Sequence, residues 1–424
     1  MSTDGLEKEK TLANKPPNLL DAIANLRIFQ PFQNRNYGLF FLTTITMSLG
    51  NFMMTVSLGW LVLELTNSPL SLGLVWAVRS APNLLWGMLA GAVADRVDRK
   101  KLQIVALSLF AICGFFLGYL INRDLVQLWH VLLVTFAWSS IRAFDGPARQ
   151  AFIVDLVGRE GAMSGISLNA VGMRGIGIFG GAVAGIIIEL FGLEWPFFVI
   201  TATNILAIGM TAYIQGIEKS AAAKRQTVWS NLVEGIQIVL KNRVVLALML
   251  MAATCEMFGF SHSVLLPVFA RDVLGVGAVG LGMFNTVLSL GGLLAGLALA
   301  SLGDYKYKGK IILGIFFMFG VALILFANSS SYPLSLFFIC IVGVTAAGHD
   351  AMQHILLQLN VSEEQRGRAM GIWQLSIGFG LIGSVSLGVL AESFGAPFAQ
   401  SIYGVIMVVI FFVLMLAVPK LREL

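Results

Sequence analysis

Twelve long apolar runs follow one another along the chain, separated by short polar segments. A membrane-crossing helix needs about 20 apolar residues, and each run is long enough for one crossing. The runs are continuous rather than alternating, so they predict helices and not the strands of a barrel. They begin near Tyr37, Pro69, Lys101, Val126, Ala162, Trp195, Arg243, Ala278, Lys310, Pro333, Arg368 and Pro397.

The polar segments divide the chain into two tails, two halves and a linker. In the N-terminal tail, apolar residues at helical spacing between Leu19 and Ile28 predict an amphipathic helix on the membrane surface. The predicted units are the cytoplasmic tail 1–36, the six-helix half 37–214, the cytoplasmic linker 215–242, the six-helix half 243–418 and the cytoplasmic tail 419–424.

The two halves repeat each other at the ends of equivalent runs. Gly91–Lys101 after the second run matches Ala300–Lys310 after the eighth, and Phe144–Pro147 matches His349–Met352 at the ends of the fourth and tenth. Internal repeats of this kind are typical of transporters with a substrate cavity between the halves.

Composition and charge agree with a membrane protein. Hydrophobic residues make up 57% of the chain and charged residues 12%, about half of what soluble domains carry. The chain is also too apolar to be disordered. The net charge of +5 does not indicate a nucleic-acid partner, because the basic residues are distributed as in membrane proteins.

Most of the 28 Lys and Arg residues fall on one predicted side of the membrane. Only Arg123 and Arg271 fall on the opposite side, and Arg79 and Arg174 lie inside runs. Because cytoplasmic segments are rich in Lys and Arg, this asymmetry predicts that both termini are cytoplasmic.

Several motifs carry a resemblance to a known family. The segment after the second run resembles the major facilitator superfamily signature G-x-x-x-D-R-x-x-R-[RK], matched by Gly91, Asp95, Arg96, Arg99 and Lys100. Asn34–Tyr37, Leu63–Pro69, Gly146–Phe152 and Leu357–Arg368 look like the branch that includes bacterial enterobactin exporters and macrolide efflux proteins. The resemblance implies an all-α membrane fold of twelve transmembrane helices in two pseudo-symmetric six-helix halves.

This resemblance also implies a function. We expect a monomeric secondary-active transporter in the bacterial inner membrane that exports drug- or siderophore-class lipophilic or amphiphilic molecules, with proton antiport. A lipid or lysolipid carrier on the same fold, and a non-transporting membrane scaffold, are the alternatives. Gly303–Lys310 departs from the ATP-binding P-loop in spacing, and we expect no enzyme activity, cofactor, metal or nucleic-acid partner.

Charges inside the apolar runs are the candidate functional residues, because a charge at mid-membrane costs several kcal/mol. Arg79, Arg174 and Glu256 lie near mid-depth, and Arg142, Asp145 and Asp350 lie deeper toward the cytoplasm. They predict a polar cavity with roughly paired charges. Glu256 is either a carboxylate for protons or cationic substrates, or a structural partner of Arg174 or Arg79.

Two of these charges lie in the segment Arg142–Gly146 of the fourth run, which we call span 4, numbering the spans as the runs. This segment resembles the superfamily signature R-x-x-q-G. The resemblance implies a link between Arg142 and proton transfer; the alternative is an internal ion pair with Asp145, three residues on. In span 10, His349 and Asp350 occupy the equivalent place and would titrate near neutral pH if coupled.

The Asp95 motif implies a gate. In the superfamily this Asp contacts the start of span 11, where Arg366 and Arg368 precede a helix N-terminus with partial positive charge. Asp304 would face span 5 in the same way. The alternative is a positive-inside anchor, which we expect of Arg99 and Lys100 in particular.

Overall fold

A computed structural model describes residues 27–94, 97–215, 237, 239–303 and 305–422. Its regular elements are all helical. Residues 19–26 of the predicted surface helix and most of the linker lie outside the described residues. At the edge of that tail, Arg27–Gln33 form a 3₁₀ helix.

The first half contains six membrane-spanning segments. Helix Leu128–Phe191 holds two of them, because it bends at Gly158, where φ is 72°. A positive φ is accessible to glycine without strain. The segments are α1 (Arg35–Thr66), α2 (Pro69–Ala94), α3 (Arg99–Asn122), α4 (128–157), α5 (159–191) and α6 (Trp195–Ala212).

The second half contains the other six. They are α7 (Arg243–Val273), α8 (Gly277–Leu302), α9 (Lys308–Ala327), α10 (Tyr332–Leu359), α11 (Glu363–Ser376 and Phe379–Phe394) and α12 (Ala396–Ala417). Ten described helices are long and apolar enough to cross a membrane. The division at Gly158 adds an eleventh span, and α2, which carries Arg79, is the twelfth.

Polar side chains set where several helices begin. Asn34, Asp98 and Asn242 precede α1, α3 and α7, and each accepts a hydrogen bond from a backbone N–H of the first turn. These N–H groups have no partner within the helix, so a capping side chain stabilises the start by about 1 kcal/mol. The apolar runs predict the helices, and these caps fix the ends.

The helix α7 is irregular along much of its length. Its regular part stops at Thr254, a π-helical turn follows at Cys255–Gly259, and a 3₁₀ turn follows at Phe260–Val264. Here α11 packs directly on the wide turn: a Cβ on Gly383 would lie 2.0 Å from the carbonyl oxygen of Met257. The wide turn carries Glu256, and π-helical turns of this kind are frequent at functional sites.

The two halves pack together at the end opposite the termini. There α5 and α8 approach so closely that a Cβ on Gly282 would lie 2.5 Å from the carbonyl oxygen of Gly181. The largest hydrophobic cluster crosses between the halves in this region, including Leu63 and Leu265. At the end with the termini, the cluster around Tyr37 belongs to the first half and the cluster around Val245 to the second.

Candidate functional site

The guanidinium group of Arg174, on α5 of the first half, reaches helices α8 and α10 of the second half. Its Nη1 lies 3.2 Å from the position that a Cβ on Gly292 of α8 would take. The methyl group of Ala347 of α10 lies 3.4 Å from that same position. Asp350 is one turn further along α10, and its carboxylate interacts electrostatically with Arg174.

Glu256 lies on the other side of Asp350. The two carboxyl groups are close enough to interact electrostatically. Glu256 Oε2 and Ser80 Oγ of α2 lie 3.7 and 3.9 Å from the position that a Cβ on Gly380 of α11 would take. We call Arg174, Asp350 and Glu256 the central charge cluster. It holds one cation from the first half and two acids from the second.

Among the described residues, no ion pair shorter than 4 Å joins Glu256 to Arg174 or Arg79. The structural pairing considered as an alternative for Glu256 is therefore not formed here. Arg79 instead donates a hydrogen bond to Thr55 Oγ1 at 3.1 Å and lies 4.7 Å from the ring of Trp76. The positive charge of Arg174 interacts with the carboxylate of Asp350 rather than with that of Glu256.

Asp145 has a different partner from the one that the sequence indicated. The alternative of an ion pair with Arg142 is wrong, because Asp145 pairs with Arg149 at 3.3 Å. Gln103 of α3 donates to the other carboxylate oxygen at 2.7 Å, and Arg149 also donates to Thr44 of α1 at 2.8 Å. Asp145 is 2% exposed, so this group ties three helices together within the first half.

Arg149 and Gln103 are functional candidates that sequence reasoning missed. Arg149 counted only as a basic residue near the cytoplasmic side. The i, i+4 spacing of Asp145 and Arg149 on one helix was the available signal. The contribution of Gln103 depends on how α3 packs on α4, which the local sequence does not specify.

Arg142 is exposed, and none of the described carboxylates forms an ion pair with it. Its charge interacts with Asp145 and Arg149, which are already joined to each other, and with Arg79 of α2. Neither Arg79 nor Arg142 therefore forms an ion pair with a described carboxylate.

His349 does not join the central charge cluster. It is 1% exposed, its ring lies 6.0 Å from that of Phe316 of α9, and neither ring nitrogen has a hydrogen-bond partner among the described residues. Asp350 is only partly buried and interacts with Arg174. The two neighbours in sequence thus face different surroundings, and the structure does not show the coupling between them that the sequence left open.

The predicted gate is described only in part. Asp95, Arg96 and Asp304 lie outside the described residues, and Gly91 is in the last turn of α2. Arg99 pairs with Asp155 of α4 at 2.5 Å, and Lys100 donates to the carbonyl oxygen of Ala212 at 2.8 Å. Both residues therefore join helices of the first half besides adding cytoplasmic charge.

Two further residues of the predicted gate lie at the start of α11. Arg366 is exposed, donates to the carbonyl oxygen of Gln358 at 3.3 Å and lies 3.6 Å from the carboxylate of Glu363. Arg368 is partly buried. Helix α11 begins at Glu363, so both arginines lie within its first two turns, and the prediction that they precede the helix N-terminus is wrong.

The opposite end of the bundle is held by polar contacts between the halves. Arg271 of α7 donates to the carbonyl oxygen of Leu63 in α1 at 3.0 Å. Glu392 of α11 accepts hydrogen bonds from Ser68 and from the backbone N–H of Leu70. The sequence gave no role to Glu392 or Arg271, because each contact joins residues more than 200 positions apart.

Within the parts of the chain that the structure covers, no three His, Cys, Asp or Glu side chains are grouped as metal ligands. The charged groups of the central charge cluster are one guanidinium and two carboxyl groups inside a twelve-helix bundle. Residues 27–424 match the family described as transmembrane secretion effectors. The chain belongs to this family of the major facilitator superfamily.

Similar proteins include a transporter, an efflux pump and an exporter. The staphyloferrin A transporter of Staphylococcus aureus is 24% identical, with 86% of this chain and 92% of the relative covered. The multidrug efflux pump Tap of Mycolicibacterium fortuitum is 26% identical, with 90% and 95% covered. The enterobactin exporter EntS of Shigella boydii is 24% identical, with 88% and 91% covered.

Solved structures share the fold. An inward-facing, unoccupied bacterial homologue of the human lysosomal transporter Spinster superposes with a TM-score of 0.72 at 14% identity, covering 93% of this chain and 99% of that one. The nucleoside transporter NupG gives 0.68 at 19% identity, covering 90% and 98%. The predicted fold class is confirmed. Its family membership makes the chain an integral membrane transporter of small molecules and not an enzyme.

Proposed function

We propose that the protein exports lipophilic or amphiphilic small molecules of the drug or siderophore class in exchange for protons. The relatives support the substrate class, because their names describe siderophore transporters, a multidrug pump and macrolide efflux proteins. The direction is export from the cytoplasm across the bacterial inner membrane, and the working unit is a monomer.

Alternating access accounts for how the halves pack. The halves, which we place at residues 37–214 and 243–418, meet at the end opposite the termini. With both termini in the cytoplasm, this arrangement closes the outer side and is inward-facing. Rocking of one half against the other would then expose the cavity to the outside. Each chain contains both halves, so one copy supplies the whole cavity.

The central charge cluster is the observation that carries the proton-coupling proposal. With both acids ionised, Arg174, Asp350 and Glu256 have a net charge of −1, and one bound proton makes the cluster neutral. A net charge inside a membrane protein is costly, so the cluster favours taking up a proton when no other cation is near.

The cluster also responds to movement of the halves. Its cation belongs to α5 of the first half, and its acids belong to α7 and α10 of the second. When the halves rock, Arg174 moves relative to both acids. The extent to which its positive charge stabilises the two carboxylates therefore changes. Proton affinity then differs between the two states, which is what coupling requires. Glu256 is our candidate for the coupling proton, with Asp350 as its electrostatic neighbour.

Transport by the purified protein in proteoliposomes tests the proposal. Wild-type protein is given a panel of lipophilic dyes, macrolides and siderophores under imposed pH, Na⁺ or voltage gradients. We expect accumulation against a concentration gradient when the compartment receiving the substrate is acidic, and none with Na⁺ alone. Accumulation that ignores the pH gradient would exclude proton antiport, and the absence of transport for the whole panel would exclude the substrate class.

A further inference from the structure

A cavity of about 310 Å³ opens where the linker ends, at the same end of the bundle as the termini. It lies among the starts of α7 and α11 and the end of α10, all in the second half. It is therefore separate from the central charge cluster, which lies between the halves. Its volume is at the lower end of the roughly 300–1,000 Å³ typical of small-ligand sites, so it suits one small polar group.

Basic and amide side chains line this cavity. Lys241 and Arg368 supply two positive charges from different segments, Lys241 from the end of the linker and Arg368 from α11. The rest of the described lining consists of Val361 and the amide side chains of Asn242, Asn360 and two glutamines. Because this described lining includes no acid, the surface that a ligand meets is polar and positively charged.

The surrounding chain also has an excess of positive charge. Residues 239–243 and 360–368 contain four basic residues and two acidic ones. Of the acids, Glu363 lies 3.6 Å from Arg366, a cation outside the lining, and its side chain is 88% exposed. At a membrane surface that contains anionic lipids, each such Lys or Arg is attracted by about 1 kcal/mol.

Hydrogen bonds fix the frame of the cavity. The side-chain amide of Asn242 donates to the carbonyl oxygen of Asn360 at 3.3 Å and so joins the start of α7 to the end of α10. The oxygen of the same side chain accepts from the N–H of Val244 at 3.0 Å, and Asn360 Nδ2 donates to the carbonyl oxygen of Leu356 at 2.8 Å. The backbone next to Lys241 is therefore positioned before a ligand binds, which lowers the cost of binding.

Apolar surface adjoins the cavity. Val361 of the lining packs on the hydrophobic cluster around Val245. Leu240 and Leu359 each come one residue before a lining residue, and they are 65% and 61% exposed. Exposed apolar side chains at the end of a membrane-spanning helix contact acyl chains. A cationic cavity with acyl contacts beside it matches the headgroup of a phospholipid better than a free anion.

We infer that this cavity binds the phosphate group of an anionic phospholipid in the cytoplasmic leaflet, with Lys241 and Arg368 as its two cationic ligands. A guanidinium group donates two parallel hydrogen bonds to phosphate oxygens, and a lysine ammonium group binds phosphate as a point charge. The acyl chains lie beside Leu240 and Leu359. The bound lipid bridges the starts of α7 and α11 and stabilises the second half at its cytoplasmic end.

The test is calorimetric titration of the full-length protein in an uncharged detergent with short-chain lipids. Dioctanoyl phosphatidylglycerol is the anionic probe. Dioctanoyl phosphatidylcholine has the same chains and a phosphate but no net charge, and dioctanoylglycerol has no phosphate. We expect wild type to bind phosphatidylglycerol about tenfold more tightly than either of these. Lys241→Gln and Arg368→Gln should each weaken that binding about fivefold, which corresponds to about 1 kcal/mol for one cation.

Matched variants serve as controls. Lys420→Gln and Arg35→Gln each remove an exposed cation at the same end of the bundle but outside the lining, and should bind the lipids as wild type does. Arg368→Lys keeps the charge and should keep part of the affinity. If Arg368→Gln does not fold, Lys241→Gln decides alone, because Lys241 is exposed and its replacement leaves the packing intact.

Equal affinity of wild type for phosphatidylglycerol and phosphatidylcholine would overturn the inference. A preference that is unchanged in both Lys241→Gln and Arg368→Gln would do the same. Inorganic phosphate distinguishes the source of the anion: if it displaces phosphatidylglycerol at a comparable concentration, the cavity is a site for a free anion and not for a lipid. Neither a transported substrate nor a gradient is present, so the result does not depend on the proposed export function.

Discussion

Glu392 and Ser68 join the two halves at the end opposite the termini, with Glu392 Oε2 and Ser68 Oγ 2.9 Å apart. The same oxygen accepts from the N–H of Leu70 at 3.3 Å, so an anion lies at the N-terminus of α2. Arg271 donates to the carbonyl oxygen of Leu63, so a cation lies near the C-terminus of α1. Each charge has the sign that the helix dipole favours, and together they hold the α1–α2 turn from both sides.

Removing the charge of Glu392 should weaken this closed end. In Glu392→Gln the hydrogen bonds can persist, but the charge–dipole attraction of about 1 kcal/mol is lost, which is roughly fivefold in the population ratio of the two states. Spin labels at Asn122 and Ser330, in a background without the three native cysteines, would report the outer distance. Asp124→Asn is the matched control, since it removes an acid near the same end. Unchanged distance populations in Glu392→Gln would show that this contact does not hold the gate.

The buried pair of Asp145 and Arg149 should be a major source of stability in the first half. Arg149→Met leaves Asp145 buried without its cation, and breaking a buried pair in this way costs about 3–5 kcal/mol. We expect a clear decrease in thermal stability in detergent, which Asp145→Asn should partly restore. Arg159→Gln, an exposed position on the same side, should have little effect. Wild-type stability in Arg149→Met would contradict the buried-pair account.

The fold follows from sequence because apolar runs of sufficient length have few alternatives in a membrane. Helices α2 and α6 begin at Pro69 and Trp195, where their runs begin. The partners of the charges do not follow in the same way. Both Arg142, at i−3, and Arg149, at i+4, could have paired with Asp145. The packing of α1 and α3 on α4 favours Arg149, and the sequence alone does not show this packing.

The central charge cluster shows the same limit. The wide turn that carries Glu256 packs against α11 at Gly383, more than 120 positions away in sequence, and the local sequence does not specify this contact. His349 and Asp350 are neighbours in sequence, and the rotation of α10 alone separates their surroundings. Sequence predicted which residues carry charge within the membrane, but the side-chain pairing required the three-dimensional structure.

The orientation in the membrane predicts which positions react with an impermeant thiol reagent. In a cysteine-free background, single cysteines at Asn122 and Ser330 should be labelled in intact cells, because they lie at the end opposite the termini. A cysteine at Lys224, in the part of the linker outside the described residues, should be labelled only after permeabilisation. Labelling of Lys224→Cys in intact cells would reverse the orientation.

The Asp95 gate stays a prediction, because this residue lies outside the described part of the chain. Asp95→Asn should weaken the closed state of the cytoplasmic side by about 1 kcal/mol, through the lost attraction to the N-terminus of α11. Distances between spin labels on the cytoplasmic ends of α2 and α11 would show the larger inward-open population. Asp98→Asn is a close control: it removes a charge three residues away, and Asn caps a helix as well as Asp does. If both variants behave alike, the motif acts only as an anchor.

Proton coupling through the central charge cluster is tested most directly by the dependence of Glu256→Gln transport on a pH gradient in proteoliposomes. Glutamine keeps the size of the side chain but cannot exchange a proton, so uphill pH-driven export should be lost while downhill substrate exchange continues. Glu256→Asp should keep part of both activities, and Glu160→Gln, an exposed acid outside the cluster, should match wild type. If Glu256→Gln still accumulates substrate against its gradient as wild type does, Glu256 is structural and the coupling role passes to Asp350, the other acid of the central charge cluster.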